Sequence, residues 1–397
     1  MAVYIIRPKE SSVGKSLSLI SRKFLPQSRQ TQVEEVMQLH SENPVYQEIN
    51  EWSNESQARG SKIYKSASNP GVTGTAILEM SEEEAEKARE ELPETIVLRD
   101  QPIQLIQPNK LNIFKEEGEL IDKDLWHLEA IRRVEKKLDG SGRGVTIAVL
   151  DTGIDGTHPA LARKIRGAFE LDLEGNQVNQ IRTSIDDQGH GTHVAGLIAG
   201  QTIGVAPEVD LTSVILIPKG RGSLANFLLA LDWSAQQSEI QIVNISAGIA
   251  KYVPELENPI NDLLTVGILP ICAIGNDGRD KTCSPGNYRG VVSVGAISNG
   301  QKVASFSGGG TMIVNNHNYT VPQLVAPGEE VFSSIVGGGY QAWSGTSMAT
   351  PIVSGIAALI LEKYPDLSVT DLIEALLSRC EDIGQPPDRQ GKGAIRW

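Results

Sequence analysis

Four short strings in this sequence carry residue types that could do chemistry together. The apolar run VTIAVLDTGID ends in a carboxylate at Asp151, and DDQGHGTHVAG sets His190 between two glycines at the head of a small-residue stretch. CAIGNDG places Asn276 behind another apolar run, and AWSGTSMATPIVSG brings Ser347 in after Gly345 and Thr346. Singly, each has an ordinary reading. Asp151 could cap a turn, Asn276 could build an Asn-Asp-Gly turn, and Ser347 could be a serine N-cap. His190 and His193, three apart, could suggest a metal pair, but neither HExxH nor a cysteine partner accompanies them. His193 is expected to be structural, packed under its helix. Together, the four residues supply what acyl transfer needs: a nucleophile, a base, a carboxylate to orient the base, and an amide to hold an oxyanion. A serine at a helix head gains further from the positive helix end and its free N–H groups. Pro351 is expected in the first turn or so of that helix, where a missing N–H costs least.

Such groups must be held at the ends of rigid elements. VTIAVLD, LTSVILI, IQIVNIS, GILPICAIG and VVSVGAI are short and almost wholly apolar, as strands buried on both faces of a parallel sheet are. The helix-like stretches THVAGLIAG, NFLLALDWSAQQ and SMATPIVSGIAALILEKY separate them. Strand, loop and helix alternate from about Leu125 onward, which predicts a doubly wound α/β fold with a mostly parallel sheet whose C-terminal edge carries the site.

The residues before that point differ in character. Of 39 glycines in the 397-residue chain, only Gly14, Gly60, Gly71 and Gly74 fall within residues 1–110. A small α+β unit is expected over 1–107. AVYIIRP and GTAILEM read as strands, and Ser81 with Glu84 reads as a capping box for SEEEAEKAREEL. Pro93 stops that helix ahead of the strands TIVL and IQLI. Between Glu10 and Pro70 the chain is polar, with helix-like patches such as TQVEEVMQLH and no strong strand. Residues 108–124 read as a linker and 125–397 as the chemical body.

Composition narrows the function classes. The net charge of -13 is the wrong sign for a nucleic-acid or anionic-membrane partner. No apolar run approaches the roughly 18–20 residues of a membrane span, and MAVYIIRPKESSVGKSL lacks a signal-peptide core, so a cytoplasmic location is expected. Cys272, Cys283 and Cys380 are too few and scattered for a disulfide framework; a Cys272–Cys283 bridge stays open, but buried thiols are expected ahead of it.

The strings VLDTGID, GHGTHVAG, VNISAG, IGNDG and GTSMATP, in that order, make residues 125–380 resemble the subtilisin-like serine proteases, the subtilases. The resemblance implies a serine endopeptidase acting on peptides or proteins through an acyl-enzyme. In it Ser347 is the nucleophile, His190 the base and then acid, Asp151 its orienting carboxylate and Asn276 the oxyanion donor. Thr346 assists at the edge of that hole. Substrate would lie as an extended strand along Ser246, Ala247 and Gly248 and beside Gly222. The resemblance puts Ala273, Ile274 and Gly275 along the primary specificity pocket. Ala247 and Ile274 differ from the family's commoner Leu and Ala, and Ile352 stands where a histidine is usual. The resemblance implies no required cofactor. Calcium stays open, although the loop that usually builds a tight calcium site after the histidine helix is nearly absent in GLIAGQTIGVAPE, and no metal ligand is assigned.

Residues 1–107 resemble the inhibitor-like propeptide of that family, whose tail fills the substrate groove. The chain is then expected to be a zymogen that carries its own intramolecular inhibitor and is activated by a cut within 108–124, and it could serve as a dedicated processing protease. Two other readings stay open: a permanent regulatory or docking domain at 1–110, and a scaffold protein whose groove is always plugged.

Overall fold

The apolar runs line up in one ten-stranded sheet. Its order is Cys380–Glu381, Ala394–Ile395, Leu324–Pro327, Val292–Ile297, Leu269–Ala273, Ile240–Ile245, Thr146–Asp151, Asp210–Ile215, Ile165–Leu171 and Gln177–Gln180. All neighbours pair parallel except the outermost pair at each edge. This computed structural model describes residues 1–11, 13, 28–132, 139–171, 173, 177–180 and 185–397.

Because side chains alternate along a strand, Ile147 and Val149 join one buried cluster and Ala148 and Leu150 the other. The first cluster contains the helices His190–Ala199, Thr346–Lys363 and Val369–Leu377; the second contains Leu224–Gln236 and Glu257–Thr265. Helices cover both faces, as the doubly wound fold requires. Pro351 lies one turn further into its helix than expected, so the carbonyl of Ser347 lacks the amide that would bond to it four residues on.

Residues 2–99 build a separate four-stranded antiparallel sheet in the order Lys62–Lys65, Ala76–Met80, Ala2–Pro8 and Thr95–Arg99. Ser81 caps the helix Glu82–Glu91 by accepting from Glu84 N at 3.1 Å. The reciprocal half of the capping box does not form, because the Glu84 carboxylate instead accepts from Ser56 and Arg59. The polar stretch contributes two helices, Arg29–Glu42 and Pro44–Ala58, and the unanticipated strand Lys62–Lys65. Residues 12 and 14–27 of that stretch lie outside the described residues.

This sheet has its own core around Tyr4, Ile49, Trp52, Leu78 and Met80. Its other face shares a core with the larger body, where Ile5, Val33, Val36 and Ile77 join Leu228 and Leu231 in one cluster. Asp232, 4% exposed, anchors this junction by accepting from Thr73 N at 2.7 Å and pairing with Lys65. His40 faces Asp262 at 3.6 Å nearby.

TIVL and IQLI do not pair with each other. Pro102–Leu105 leaves the small sheet and inserts between Gly222–Ser223 and Ala247–Gly248, antiparallel to both. Beyond it, the segment read as a linker is ordered: Asn109–Lys115 pairs antiparallel with Tyr340–Ser344, and Asp122–Leu125 forms a 3-10 turn. The strand Asn109–Lys115 is largely exposed and mixed in charge, so its shape comes from its partner rather than from its own pattern. The three cysteines are free thiols; Cys272 and Cys283 are buried as expected, whereas Cys380 is only partly buried. Among the described residues, no helix is long and apolar enough to cross a membrane.

Candidate active site

Asp151 ends its strand at the C-terminal edge of the sheet, fully buried. His190 starts its helix behind Gly189, whose φ of 81° turns the chain into it. Helix and strand end meet closely: a Cβ on Gly191 would lie 2.0 Å from the Gly153 carbonyl oxygen. That approach puts His190 Nδ1 at 2.8 and 2.9 Å from the two Asp151 carboxylate oxygens. The bond fixes Nδ1–H toward the carboxylate and leaves Nε2 as the basic nitrogen. His190 Nε2 is buried and has no hydrogen-bond partner among the described residues.

Further groups lock this pair in place. Thr152 N donates to Asp151 Oδ1 at 2.8 Å, and Thr152 Oγ1 donates to Asp186 at 2.8 Å. Asp186 also accepts from the backbone N–H groups of Gln188, Gly189 and Thr192 and from Thr192 Oγ1, all within 3.0 Å. This buried carboxylate holds the turn that delivers His190. Sequence reasoning passed over it, because the N-cap of this helix is Gly189, without a side-chain cap bond, and Asp186 three residues before it gives no capping signal. His193 Nε2 donates to the Gln341 carbonyl at 3.0 Å and the ring stacks on Trp343 at 4.2 Å, away from any metal partner among the described residues.

Ser347 is the second residue of the helix Thr346–Lys363. Asn276 stands beside it, oriented by its own carbonyl oxygen, which accepts from Thr346 N at 2.8 Å and Thr346 Oγ1 at 2.9 Å. The amide nitrogen is thereby turned outward into the groove.

The groove holds the chain's own residues 102–107. Gly222 pairs with Ile103, Gly248 with Gln104 and Ala247 with Leu105, and Ile106 N donates to the Ser246 carbonyl at 3.1 Å. A Cβ on Gly222 would come within 2.7 Å of Ile103 Cγ2, so only glycine lets the strand lie this close. At Gly248 the crowding comes from the Ser284 carbonyl, 2.4 Å from such a Cβ, and not from the bound strand. Ser347 Oγ donates to the Ile106 carbonyl at 2.8 Å, and Asn276 Nδ2 donates to the next carbonyl, Gln107, at 2.8 Å.

The structure thus gathers Ser347, Asn276, Ser246, Ala247, Gly248 and Gly222 around one strand, and joins Asp151 to His190 at the C-terminal edge of the large sheet. Of the three residues expected along the specificity pocket, Ala273 touches Ile106 in a small cluster that also contains Cys283. Gly275 closes on the Cys283 sulfur, whereas Ile274 is buried outside that cluster, with its carbonyl accepting from Cys283 N at 2.9 Å. Cys283 had no sequence signal beyond its apolar type. A nucleophilic oxygen, a carboxylate-oriented imidazole and an aimed amide at the midpoint of a strand-binding groove can carry out acyl transfer on an extended peptide.

Residues 142–393 match the family model described as the subtilase family. The chain is 38% identical over 271 residues to an intracellular serine protease of Paenibacillus polymyxa, covering 64% of this chain and 79% of that protein. It is 36% identical over 299 residues to serine protease AprX of Bacillus subtilis (strain 168), covering 64% of this chain and 65% of that protein. Its fold is also similar to the crystal structure of fervidolysin from Fervidobacterium pennivorans, a keratinolytic enzyme related to subtilisin. The TM-score is 0.68 at 18% identity, covering 100% of this chain and 60% of that one.

Proposed function

We propose a mechanism from the premise that this chain belongs to the subtilase family and is a subtilisin-like serine endopeptidase. Ser347 Oγ attacks the carbonyl carbon of an extended peptide while His190 Nε2 takes its proton, and Asp151 stabilises the imidazolium so formed. The oxyanion is held by Asn276 Nδ2 together with the backbone N–H of Ser347 at the helix head. His190 then protonates the leaving amine, and water, deprotonated by the same nitrogen, releases the acyl group. Every step is assigned to protein groups, so no cofactor and no calcium enter the proposed reaction.

The observation that carries this reading is the strand 102–107 itself, whose Ile106 carbonyl receives the Ser347 hydroxyl at 2.8 Å. It also supports the role of residues 1–107 as an intramolecular inhibitor and the chain as a zymogen. The peptide bond it presents is Ile106–Gln107, just ahead of the 108–124 segment, and the activating cut is proposed there. A cytoplasmic location is proposed alongside, supported by the printed name of the Paenibacillus relative. Under such confinement a dedicated processing role suits the enzyme better than general degradation.

Incubating wild-type and Ser347→Ala protein with a generic peptide ester, then measuring intact masses, tests this. Wild type is expected to hydrolyse the ester and to accumulate a fragment beginning at Gln107. Ester hydrolysis by Ser347→Ala at the wild-type rate would refute the assignment. Wild type that neither hydrolyses nor self-cleaves, even after limited proteolysis, would favour the scaffold reading.

A further inference from the structure

The chain does not leave the groove at Gln107. Pro108 lies against the head of the helix that carries Ser347, where a Cβ on Gly345 would come within 3.2 Å of the Pro108 Cβ. Asn109–Lys115 then adds to the edge of Tyr340–Ser344, with Asn109 opposite Ser344 and Lys115 opposite Tyr340. Ser344 stands three residues ahead of Ser347. A peptide bound in the direction of 102–107 and continuing past the cut would run along this same edge, so the chain's own residues fill the half of the groove that a leaving fragment needs.

The groups that hold this strand belong to the larger body. Gln341 Nε2 donates to the Leu111 carbonyl at 2.7 Å, and the Lys110 ammonium sits 4.2 Å over the ring of Trp343, which is itself fixed by stacking on His193. Leu111, with Leu120 and Leu125, packs on a cluster that contains Ile203 and Phe332. The turn that follows is tied down as well, by Tyr340 donating to Glu117 at 3.0 Å and by Lys115 pairing with Asp124 at 3.5 Å. None of these partners lies in residues 1–106. Departure of the small unit therefore removes none of them, and the segment stays covalently continuous with the body through Trp126.

Resting on the peptidase reading, we infer that Asn109–Lys115 is a separately anchored block that stays seated after the cut at Ile106–Gln107 and makes the length of a substrate's leaving half a determinant of specificity. Substrates with a small leaving group reach Ser347 once 102–106 has lifted. Peptides that run several residues past the cut must first displace the strand. That cost falls on KM, because only the fraction of molecules with the strand unseated can bind them.

The test uses the full chain with two substrates that share one acyl half: a thiobenzyl ester of Ile-Gln-Leu-Ile and the internally quenched peptide Ile-Gln-Leu-Ile-Gln-Ala-Asn-Ala-Leu. Lifting of 102–106 scales both kcat/KM values alike, so their ratio reads the leaving side alone. Leu111→Asp puts a charge into the apolar cluster under the strand. It is expected to raise kcat/KM for the long peptide relative to the ester by at least about tenfold, through KM, the worth of roughly one buried aliphatic side chain. Lys110→Ala, milder for folding, removes the cation over Trp343 and should move the ratio the same way by roughly two- to fivefold. Hydrogen exchange gives a second reading, in which the amides of 109–115 stay protected in the product that begins at Gln107. Exchange there at the rate of a free peptide, or a ratio unchanged in both variants, would overturn the inference. Reaction of Ser347 with a fluorophosphonate separates the two levels. Labelled protein that hydrolyses the ester with unchanged ratios overturns the inference alone, whereas no labelling and no hydrolysis in any variant overturns the peptidase reading beneath it.

Discussion

The Ser347 hydroxyl donates to the carbonyl of Ile106 at 2.8 Å instead of to His190, whose Nε2 is left without a partner among the described residues. The nucleophile is thus engaged by the strand it would attack. The misregistration continues at the amide, because Asn276 Nδ2 reaches the Gln107 carbonyl and not that of Ile106. Oxyanion stabilisation requires the donor to meet the oxygen on which charge develops. On the proposed cut at Ile106–Gln107, the strand would have to shift before the chemistry begins, and the contacts that fill the groove would slow it.

Asn276 and Thr346 should separate in kinetics on an external peptide. Asn276→Ala is expected to lower kcat by about 100- to 1,000-fold with little change in KM, the loss known from removing one such donor in a subtilisin. Thr346→Val keeps the backbone donor to Asn276 but removes the hydroxyl at 2.9 Å. It should lower kcat by roughly tenfold, the worth of one hydrogen bond, and Thr346→Ser should restore it. Equal kcat for wild type and Asn276→Ala would remove the amide from the chemistry.

The junction between the two units has a buried ionic anchor. Asp232→Ala would strand Lys65, 12% exposed at its side chain, and leave Thr73 N without its acceptor. Breaking a buried pair in this way costs about 3 kcal/mol or more, which is on the order of 100-fold in the fraction of molecules with the groove open. The rate of Ser347 labelling by a fluorophosphonate should rise accordingly. No change in that rate would mean that the apolar cluster alone holds the small unit in place.

Acid should weaken the fold through two buried histidines. His127, bonded to the Ile203 carbonyl at 2.9 Å, is held down to about 4 by burial, and His193 is held well below its ordinary value, chiefly by burial. Unfolded, both would bind protons near pH 6.5. Below that pH the unfolded chain therefore carries more protons than the folded one, and stability falls as pH drops toward 4, by about 1.4 kcal/mol per pH unit for each group. The urea midpoint should hold between pH 8 and 7 and fall below 6.5, and His127→Gln should remove part of that slope. A midpoint unchanged from pH 7 to 4.5 would contradict the burial of these rings in neutral form.

Much of this was legible from local pattern. The apolar runs that end at Asp151 and Ala273 are buried on both faces, so their composition alone marks them as sheet strands, and the small residues around His190 and Ser347 mark close helix packing. What was not legible depends on contacts between distant segments. The pairing of Lys65 with Asp232 joins residues 167 apart, and the strand Lys62–Lys65 is an edge strand with little apolar signature. The seating of Ile106 on Ser347 and of Asn109–Lys115 on Tyr340–Ser344 likewise exists only once both units are folded. Asp186 was invisible for a different reason: its role lies in five hydrogen bonds that a single carboxylate in a polar string does not announce.

The most direct measurement is the extent and rate of fluorophosphonate adduct formation on the peptide containing Ser347, read by mass spectrometry in wild type and in His190→Ala. If Asp151, His190 and Ser347 work as one unit, wild type forms an adduct on Ser347 alone, and His190→Ala forms it at least about 1,000-fold more slowly. An adduct on another residue, or equal rates in the two proteins, would contradict that unit.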